Sequence, residues 1–285
     1  MADEQADKYH NLKAKEKAEI EQEFLRGTKD KDIGVYCSIF SAKSGIDGQD
    51  GGIVTALLLN GFKEGIFDSA IVVRRGEGYS AEAVESKNPS DVLEAKGTKY
   101  LRVNVTKKLQ ELISQGKKRV GIVCTPCEAK AVRKIQQTHK SDCKITIIGL
   151  FCLEAFNKDR LKEEIKRRIG VDLDKAKKTQ IRKGKFTTIV NGEEYSCKVK
   201  DLDQATEKAC LYCDDFTAQF ADISVGSIGS KKGYSTVIVR SKAGEELIKN
   251  LDVTNGAVDR KKIVKLSKFK MERAKRTLAT IKKPK

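Results

Sequence analysis

The sequence has no tryptophan, two histidines and three prolines, and no apolar run long enough to span a bilayer. Each shortage closes off a class of function. Aromatic residues make up 6% of the 285 residues and interleave with no basic motif, so nucleic acid is the weakest of the anionic partners considered. His10 and His139 lie in neither a zinc-protease nor a nucleophile-elbow context, so no hydrolase signature is present. His139, beside Lys140, reads as a solvated loop residue. A transmembrane helix needs about 20 consecutive apolar residues, and none is expected. The opening Met1-Ala-Asp-Glu4 is acidic and no apolar stretch follows, so no secretory signal is expected either. Eight cysteines in that setting imply a reducing, cytoplasmic location, where metal or redox roles outrank a disulfide framework.

What is abundant is charge. Lys and Arg number 57 against 40 Asp and Glu, a net charge of +17. This balance favours anions: an acidic partner subunit or a polyanionic cofactor. Charged residues reach 34%, above the usual level of about 25%, a Lys- and Glu-rich surface of the kind favoured at high growth temperature. Hydrophobic residues, at 39%, suffice for one large core or two modest ones.

Along residues 1–31 a charged stretch places Tyr9, Leu12, Ile20 and Phe24 on one broken helical stripe, which predicts a solvated helix. Strands are predicted at Ile33–Phe40, Ser69–Val73, Arg119–Cys124, Lys144–Phe151 and Ser235–Arg240. Helices are predicted at Ile53–Asn60, 90–96, 106–115, Glu128–Gln137, Lys158–Ile169 and Glu245–Leu251. Residues 180–200 read as a hairpin turning on Asn191-Gly192. Twelve basic residues against one acid, Glu272, in 260–285 read as a solvated or partner-bound helix. Buried strands alternating with helices predict an α/β fold, with a mixed, largely parallel sheet flanked by helices, a cysteine-bearing C-terminal part and helical basic tails. The divisions expected are 1–32, 33–118, 119–257 and 258–285.

Four cysteines decide the chemistry. Cys127 and Cys152 each follow the C-terminal end of a predicted strand, where open parallel sheets bind ligands. Cys210 and Cys213 form a close pair that a loop can bring to the same edge. Convergence of the four would suit a 4Fe–4S cluster. Two alternatives stand beside it. Cys124-Thr-Pro-Cys127 with Cys210-Leu-Tyr-Cys213 can make a zinc-stapled interaction domain, although the segment between them exceeds the ~15–20 residues of a compact ribbon. Cys124 and Cys127 can also form a thioredoxin-like dithiol. Cys37, Cys143 and Cys197 read as small buried hydrophobes.

Three backbone-rich loops accompany the cysteines. Gly45 to Gly52 runs directly into a helix, where exposed N–H groups favour an anion; a tight turn capped by Asp50 is the plain reading. Gly97-Thr-Lys-Tyr100 offers Lys99 as an anion contact, or only a helix stop. Gly226-Ser-Ile-Gly-Ser230 precedes Lys231 and Lys232 and can hold another anionic group.

Seven segments in order carry a resemblance: Gln49-Asp-Gly-Gly-Ile-Val-Thr55, Gly97-Thr-Lys-Tyr100, Pro126-Cys127, Phe151-Cys-Leu-Glu154, Lys183-Gly-Lys-Phe186, the Cys210/Cys213 pair, and Ala221 to Ser230 leading to Tyr234-Ser-Thr-Val237. Together, over Ser41 to Leu251, they resemble the beta subunits of coenzyme F420-reducing hydrogenase, F420-dependent formate dehydrogenase and the F420H2 dehydrogenases. The resemblance implies an F420-dependent oxidoreductase subunit with one FAD and one 4Fe–4S cluster. It implies Cys127, Cys152, Cys210 and Cys213 as cluster ligands, with Cys124 a neighbour. It puts FAD on Gln49, Asp50, Gly51, Gly52, Thr55, Gly97, Thr98, Lys99, Tyr100 and Glu154. The anionic tail of F420 would meet Lys183, Lys185, Lys231 and Lys232 and the loop carrying Gly226, Ser227 and Gly229. On this reading 33–118 is a flavin-binding part and 119–257 an iron–sulfur and flavin part. The implied partners are the large and small subunits of a hydrogenase, formate dehydrogenase or heterodisulfide-reductase-type complex. The chain departs from the family at Glu154-Ala155, where Glu-Asn is common, and at Lys231-Lys-Gly-Tyr234, where Pro-Asp-Gly-Trp is frequent. A ferredoxin-linked FAD/4Fe–4S reductase that does not use F420 is the alternative.

Overall fold

The computed structural model describes residues 12–138 and 142–281. His10, His139 and Tyr9, named above, lie outside the described residues. Helix α1 (Ala14–Phe24) leads into a short hairpin of β1 (Thr28–Asp30) and β2 (Gly34–Tyr36). Next come β3 (Ser38–Lys43), α2 (Ile53–Lys63), β4 (Ser69–Arg75), β5 (Ala81–Ser86), α3 (Pro89–Glu94) and α4 (Val105–Ser114). The middle of the chain is β6 (Arg119–Cys124), α5 (Pro126–Thr138), β7 (Lys144–Leu150) and α6 (Lys158–Ile169). Then follow β8 (Ala176–Arg182), β9 (Lys185–Val190), β10 (Glu193–Lys198), β11 (Ile223–Gly226), β12 (Ser235–Val239), α7 (Lys242–Ile248), β13 (Thr254–Gly256) and α8 (Arg260–Ile281).

Eight strands form one mixed sheet in the order β13-β3-β12-β11-β7-β6-β4-β5. Its centre, β11-β7-β6-β4, is parallel, and antiparallel strands flank it on both sides. Alternate side chains of the central strands serve opposite faces, as a pleated strand requires. Ala70 and Val72 pack with Ile53, Leu57 and Leu247 on one face. Ile71, Val120 and Ile122 pack with Leu109, Val132 and Ile135 on the other. Covering both faces with helices is what allows β6 and β7 to be almost continuously apolar.

The smaller sheet, β8-β9-β10, has its own core with α6, including Phe156, Leu161, Ile165, Phe186 and Leu202. The expected hairpin is thus two of three strands. Asn191 (φ 52°) and Gly192 (φ 87°) both take the left-handed region that the turn requires. Lys183 (φ 50°) and Gly184 (φ 72°) make an equivalent turn between β8 and β9, and a lysine does not advertise one.

Other expectations are revised. The first strand is interrupted at Cys37, whose N–H bonds to Val239 rather than continuing either ladder. Helix α1 is not simply solvated: Ile20 is fully buried with Leu12, Leu25, Val35 and Phe220. The C-terminal helix likewise docks on its own chain, burying Ile263, Ser267, Lys270 and Ala274. Those positions fall four, three and four residues apart, which is one helical face. Two of the four are polar, so the stripe does not read as apolar. No helix of the described residues is long and apolar enough to cross a membrane.

Candidate functional site

Strand direction gathers the site. Strands β4, β6, β7 and β11 are mutually parallel, and β3 runs with them because both β3 and β11 are antiparallel to β12. Their C-terminal ends therefore share one edge of the sheet. The glycine-rich loop leaves from β3, Cys127 follows β6, Cys152 follows β7, and the Gly226–Tyr234 loop follows β11. Crevices at such an edge are where open α/β sheets bind ligands.

Cys127 stands in the first turn of α5. Thr125 precedes that turn, Pro126 occupies its first helical position, and the Glu128 carboxylate accepts from the Thr125 N–H at 3.0 Å and from the Thr125 hydroxyl at 2.9 Å. The Thr125 hydroxyl lies 3.2 Å from the Cys127 sulfur. Cys152 is fixed by its own N–H, which donates to Phe216 O at 2.9 Å. Cys210 closes a short 3-10 turn (Lys208–Leu211), and its sulfur accepts from the Ala155 N–H at 3.3 Å. Cys213 is buried. The four thiols share one electrostatic neighbourhood: Cys210, Cys127 and Cys213 all act on Cys152. Burial pushes the Cys127 and Cys152 thiols up, and raises Cys210 to about 11. Ionising them therefore calls for a strong local cation. Among the described residues, no three Cys, His, Asp or Glu side chains are grouped as a single metal ion would need.

Helix α8 lies over these cysteines, a role no sequence signal assigned. The buried Lys270 ammonium donates to Cys152 O at 2.6 Å. Burial works against its charge, but Cys213 and Cys152 more than offset that and its affinity for the proton rises. Arg273 donates to Glu154 Oε2 (2.7 Å), Leu153 O (2.7 Å) and Cys210 O (3.2 Å), tying both cysteine segments to the helix. Glu154, expected at the flavin, is the carboxylate that Arg273 holds. Cys124 is buried at the end of β6 against the helix-covered face.

The glycine-rich loop is the second centre. Gly51 approaches so closely that a Cβ there would stand 2.5 Å from Ala42 O, and Gly52 caps α2 with φ +70°. Asp50 is not the cap: it pairs with Arg182 at 2.7 Å. Gln49 donates to the Tyr100 hydroxyl (2.9 Å) and accepts from the Thr98 N–H (3.2 Å), joining this loop to Gly97–Tyr100. Gly51 N–H donates to Ser235 Oγ at 3.1 Å. Thr55 is half-buried in the first turn of α2. Lys99 donates to Ala95 O and Lys96 O, and burial, with Arg75 nearby, lowers it to about 8. Arg75 itself donates to the carbonyls of Gly78 and Lys177. Arg75 and Arg182 were not visible as site residues in the sequence: Arg75 ends a strand with no motif around it, and Arg182 lies one residue before the Lys183–Phe186 segment.

Main-chain bonds stitch the two centres together. Phe156 N–H donates to Tyr100 O at 2.8 Å, and Glu207 N–H donates to Ala155 O at 2.9 Å. The Gly97–Tyr100 loop is therefore contiguous with the segment after Cys152, which is contiguous with the segment before Cys210. Lys183, Lys185, Lys231 and Lys232 are exposed. The first pair follows Arg182 and the second precedes Ser235, so the Asp50 and Gly51 bonds set the two pairs beside the glycine-rich loop. Lys231 lies over the Tyr234 ring at 4.2 Å, and Gly226, Ser227 and Gly229 form the loop leading to it.

Comparison with known proteins agrees with this architecture. The N-terminal profile of the coenzyme F420 hydrogenase/dehydrogenase beta subunit matches residues 39–110, and its C-terminal profile matches 117–265. A coenzyme F420-dependent sulfite reductase of Methanocaldococcus jannaschii is 35% identical over 257 residues, 85% of this chain. The chain spans 40% of that relative's length. A coenzyme F420 hydrogenase subunit beta of Methanothermobacter thermautotrophicus is 31% identical over 269 residues, covering 87% of this chain and 95% of the relative. A chain of the F420-reducing [NiFe] hydrogenase complex from Methanosarcina barkeri superposes with a TM-score of 0.83 at 30% identity, over 89% of this chain and 95% of that one. The chain belongs to the coenzyme F420 hydrogenase/dehydrogenase beta-subunit family.

Proposed function

We propose that this chain exchanges electrons between coenzyme F420 and a partner redox protein, using FAD and a 4Fe–4S cluster held side by side at one sheet edge. The observation that carries the reading is the continuous backbone path from Tyr100 through Phe156 and Ala155 to Glu207, which sets the glycine-rich centre against the cysteine centre. A flavin accepts or donates a hydride and also exchanges single electrons, while an iron–sulfur cluster carries single electrons.

Cys127, Cys152, Cys210 and Cys213 would hold the cluster. Four thiols in a shared field are the donor set that a 4Fe–4S cluster takes. The Ala155 N–H on the Cys210 sulfur is the kind of donor that orients a thiolate ligand. Gln49, Asp50, Gly51, Gly52, Thr55 and the Gly97–Tyr100 loop would seat the flavin. The cationic pair Lys99 and Arg75, hydrogen-bonded to carbonyls, supplies the charge that a diphosphate requires. Glu154, held in place by Arg273, would meet the flavin from the segment after Cys152. Lys183, Lys185, Lys231 and Lys232, with the Gly226–Gly229 loop, would meet the anionic tail of F420.

The test is anaerobic reconstitution of the full chain, with iron, acid-labile sulfide and flavin analysis and an F420 reduction assay from a viologen donor. Four iron and one FAD per chain with F420 turnover are expected. Cys213→Ser is expected to lose iron, keep most of its FAD and fall at least about 100-fold in viologen-linked turnover. Unchanged viologen-linked turnover in that variant would sink the relay. Stoichiometric zinc without flavin would reject the reading, and failure of F420 to bind the FAD-loaded chain would favour the ferredoxin-linked alternative.

A further inference from the structure

We infer that helix α8 completes the cysteine centre, with Lys270 as a buried counter-charge that raises the reduction potential of the group bound there. The inference rests on the cluster reading above, but its observations are separate. Lys270 is 1% exposed. Its ammonium donates to Cys152 O, and among the described residues it forms no ion pair with a carboxylate. Every comparable buried cation is otherwise satisfied. Lys130 pairs with Asp214 at 2.6 Å and Arg133 with Asp222 at 2.9 Å. Arg240 donates to Ser224 Oγ and to the carbonyls of Ile33, Val35 and Thr217.

A lone buried ammonium is expensive unless a negative charge arrives to match it. The groups whose fields reach Lys270 are Cys213, Cys152, Asp215 and Cys210. Three of these four are the thiols proposed as cluster ligands, and a metal centre binds them as thiolates, which supplies the matching negative charge. Asp215 is buried, and its Oδ2 accepts from the Gln219 N–H at 2.9 Å. An iron–sulfur core held by four thiolates is anionic, and reduction adds a further negative charge. A nearby cation favours the more negative state, so Lys270 would raise the potential. Arg273, one turn on, secures the geometry by bonding Leu153 O, Glu154 and Cys210 O. Both residues lie past residue 265, where the family's C-terminal profile ends.

The experiment compares wild type, Lys270→Met and Lys270→Arg as full-length, anaerobically reconstituted chains. Redox titration followed by electron paramagnetic resonance is expected to show at least a tenfold lower reduced-to-oxidised ratio for K270M at a fixed potential, about 59 mV more negative for a one-electron couple. K270R, which keeps the charge, is expected near wild type. A second readout needs no activity: K270M is expected to melt higher than wild type without iron, and lower with iron bound. An iron-loaded K270M at the wild-type potential overturns the inference alone. So does a K270M that melts lower or fails to fold in both forms. A wild-type chain that takes up no iron overturns the cluster reading, and this inference with it.

Discussion

At the scale of single residues, Lys99 makes a prediction with a definite sign. Burial, with Arg75 assisting, lowers its ammonium to about 8 in the cofactor-free chain. A phosphate contact needs that proton, so flavin affinity should fall as pH rises through this value, when the competent fraction shrinks. At pH 9 about one chain in ten would remain protonated, and the dissociation constant would rise by about tenfold relative to pH 7. Fluorescence titration of FAD between pH 7 and 9 checks this. Lys99→Met should bind weakly at all pH values with a flat profile; a wild-type profile already flat would remove Lys99 from the flavin site. Single residues also show where sequence reading stops. The cysteines and glycines were legible because few roles need those residue types at those spacings. Lys270, Arg273, Arg182 and Arg75 were not, because a basic residue in so basic a chain has no distinguishing local signal. Only the fold shows that Lys270 is buried while its neighbour Phe269 is exposed.

At the scale of elements, the centre of the large sheet was readable and its margins were not. Strands β6 and β7 are buried on both faces and advertise themselves as apolar runs. Strand β5, Ala-Glu-Ala-Val-Glu-Ser at an edge, carries no clean two-residue alternation, β13 is three residues long, and β11 hides in a motif that reads as a loop. What holds β11 against α5 is Asp222. Its carboxylate accepts from Arg133 (2.9 Å), the Ile147 N–H (2.8 Å) and the Ser241 hydroxyl (2.5 Å). It thus joins α5, β7 and the cap of α7 at one buried point. Asp222→Ala would strand the Arg133 guanidinium in the interior and should cost about 3–5 kcal/mol. Urea unfolding measures this directly, and a loss under about 1 kcal/mol would show that the network is not what ties these elements together.

At the scale of the whole molecule, the net charge of +17 becomes a statement about traffic to the cysteine centre. Helix α8 turns Lys270 and Ala274 inward and leaves Lys261, Lys262, Lys265, Lys268, Lys275 and Arg276 exposed on its outer side. The cover over the cysteines is therefore cationic toward solvent. A negatively charged electron acceptor should be drawn to it and a positively charged one repelled. In the reduced, reconstituted chain, ferricyanide should outpace hexaammineruthenium in stopped-flow measurements at low ionic strength by more than their intrinsic reactivities with a neutral donor allow. The excess should vanish near 1 M salt, where the screening length is about 3 Å. Neutralising Lys265 and Lys268 together, both on the outer side, should shrink the low-salt excess severalfold while leaving the high-salt rates in place. An excess that persists unchanged in that double variant would mean that electrons leave by another face, and that the basic helix serves its own cysteines alone.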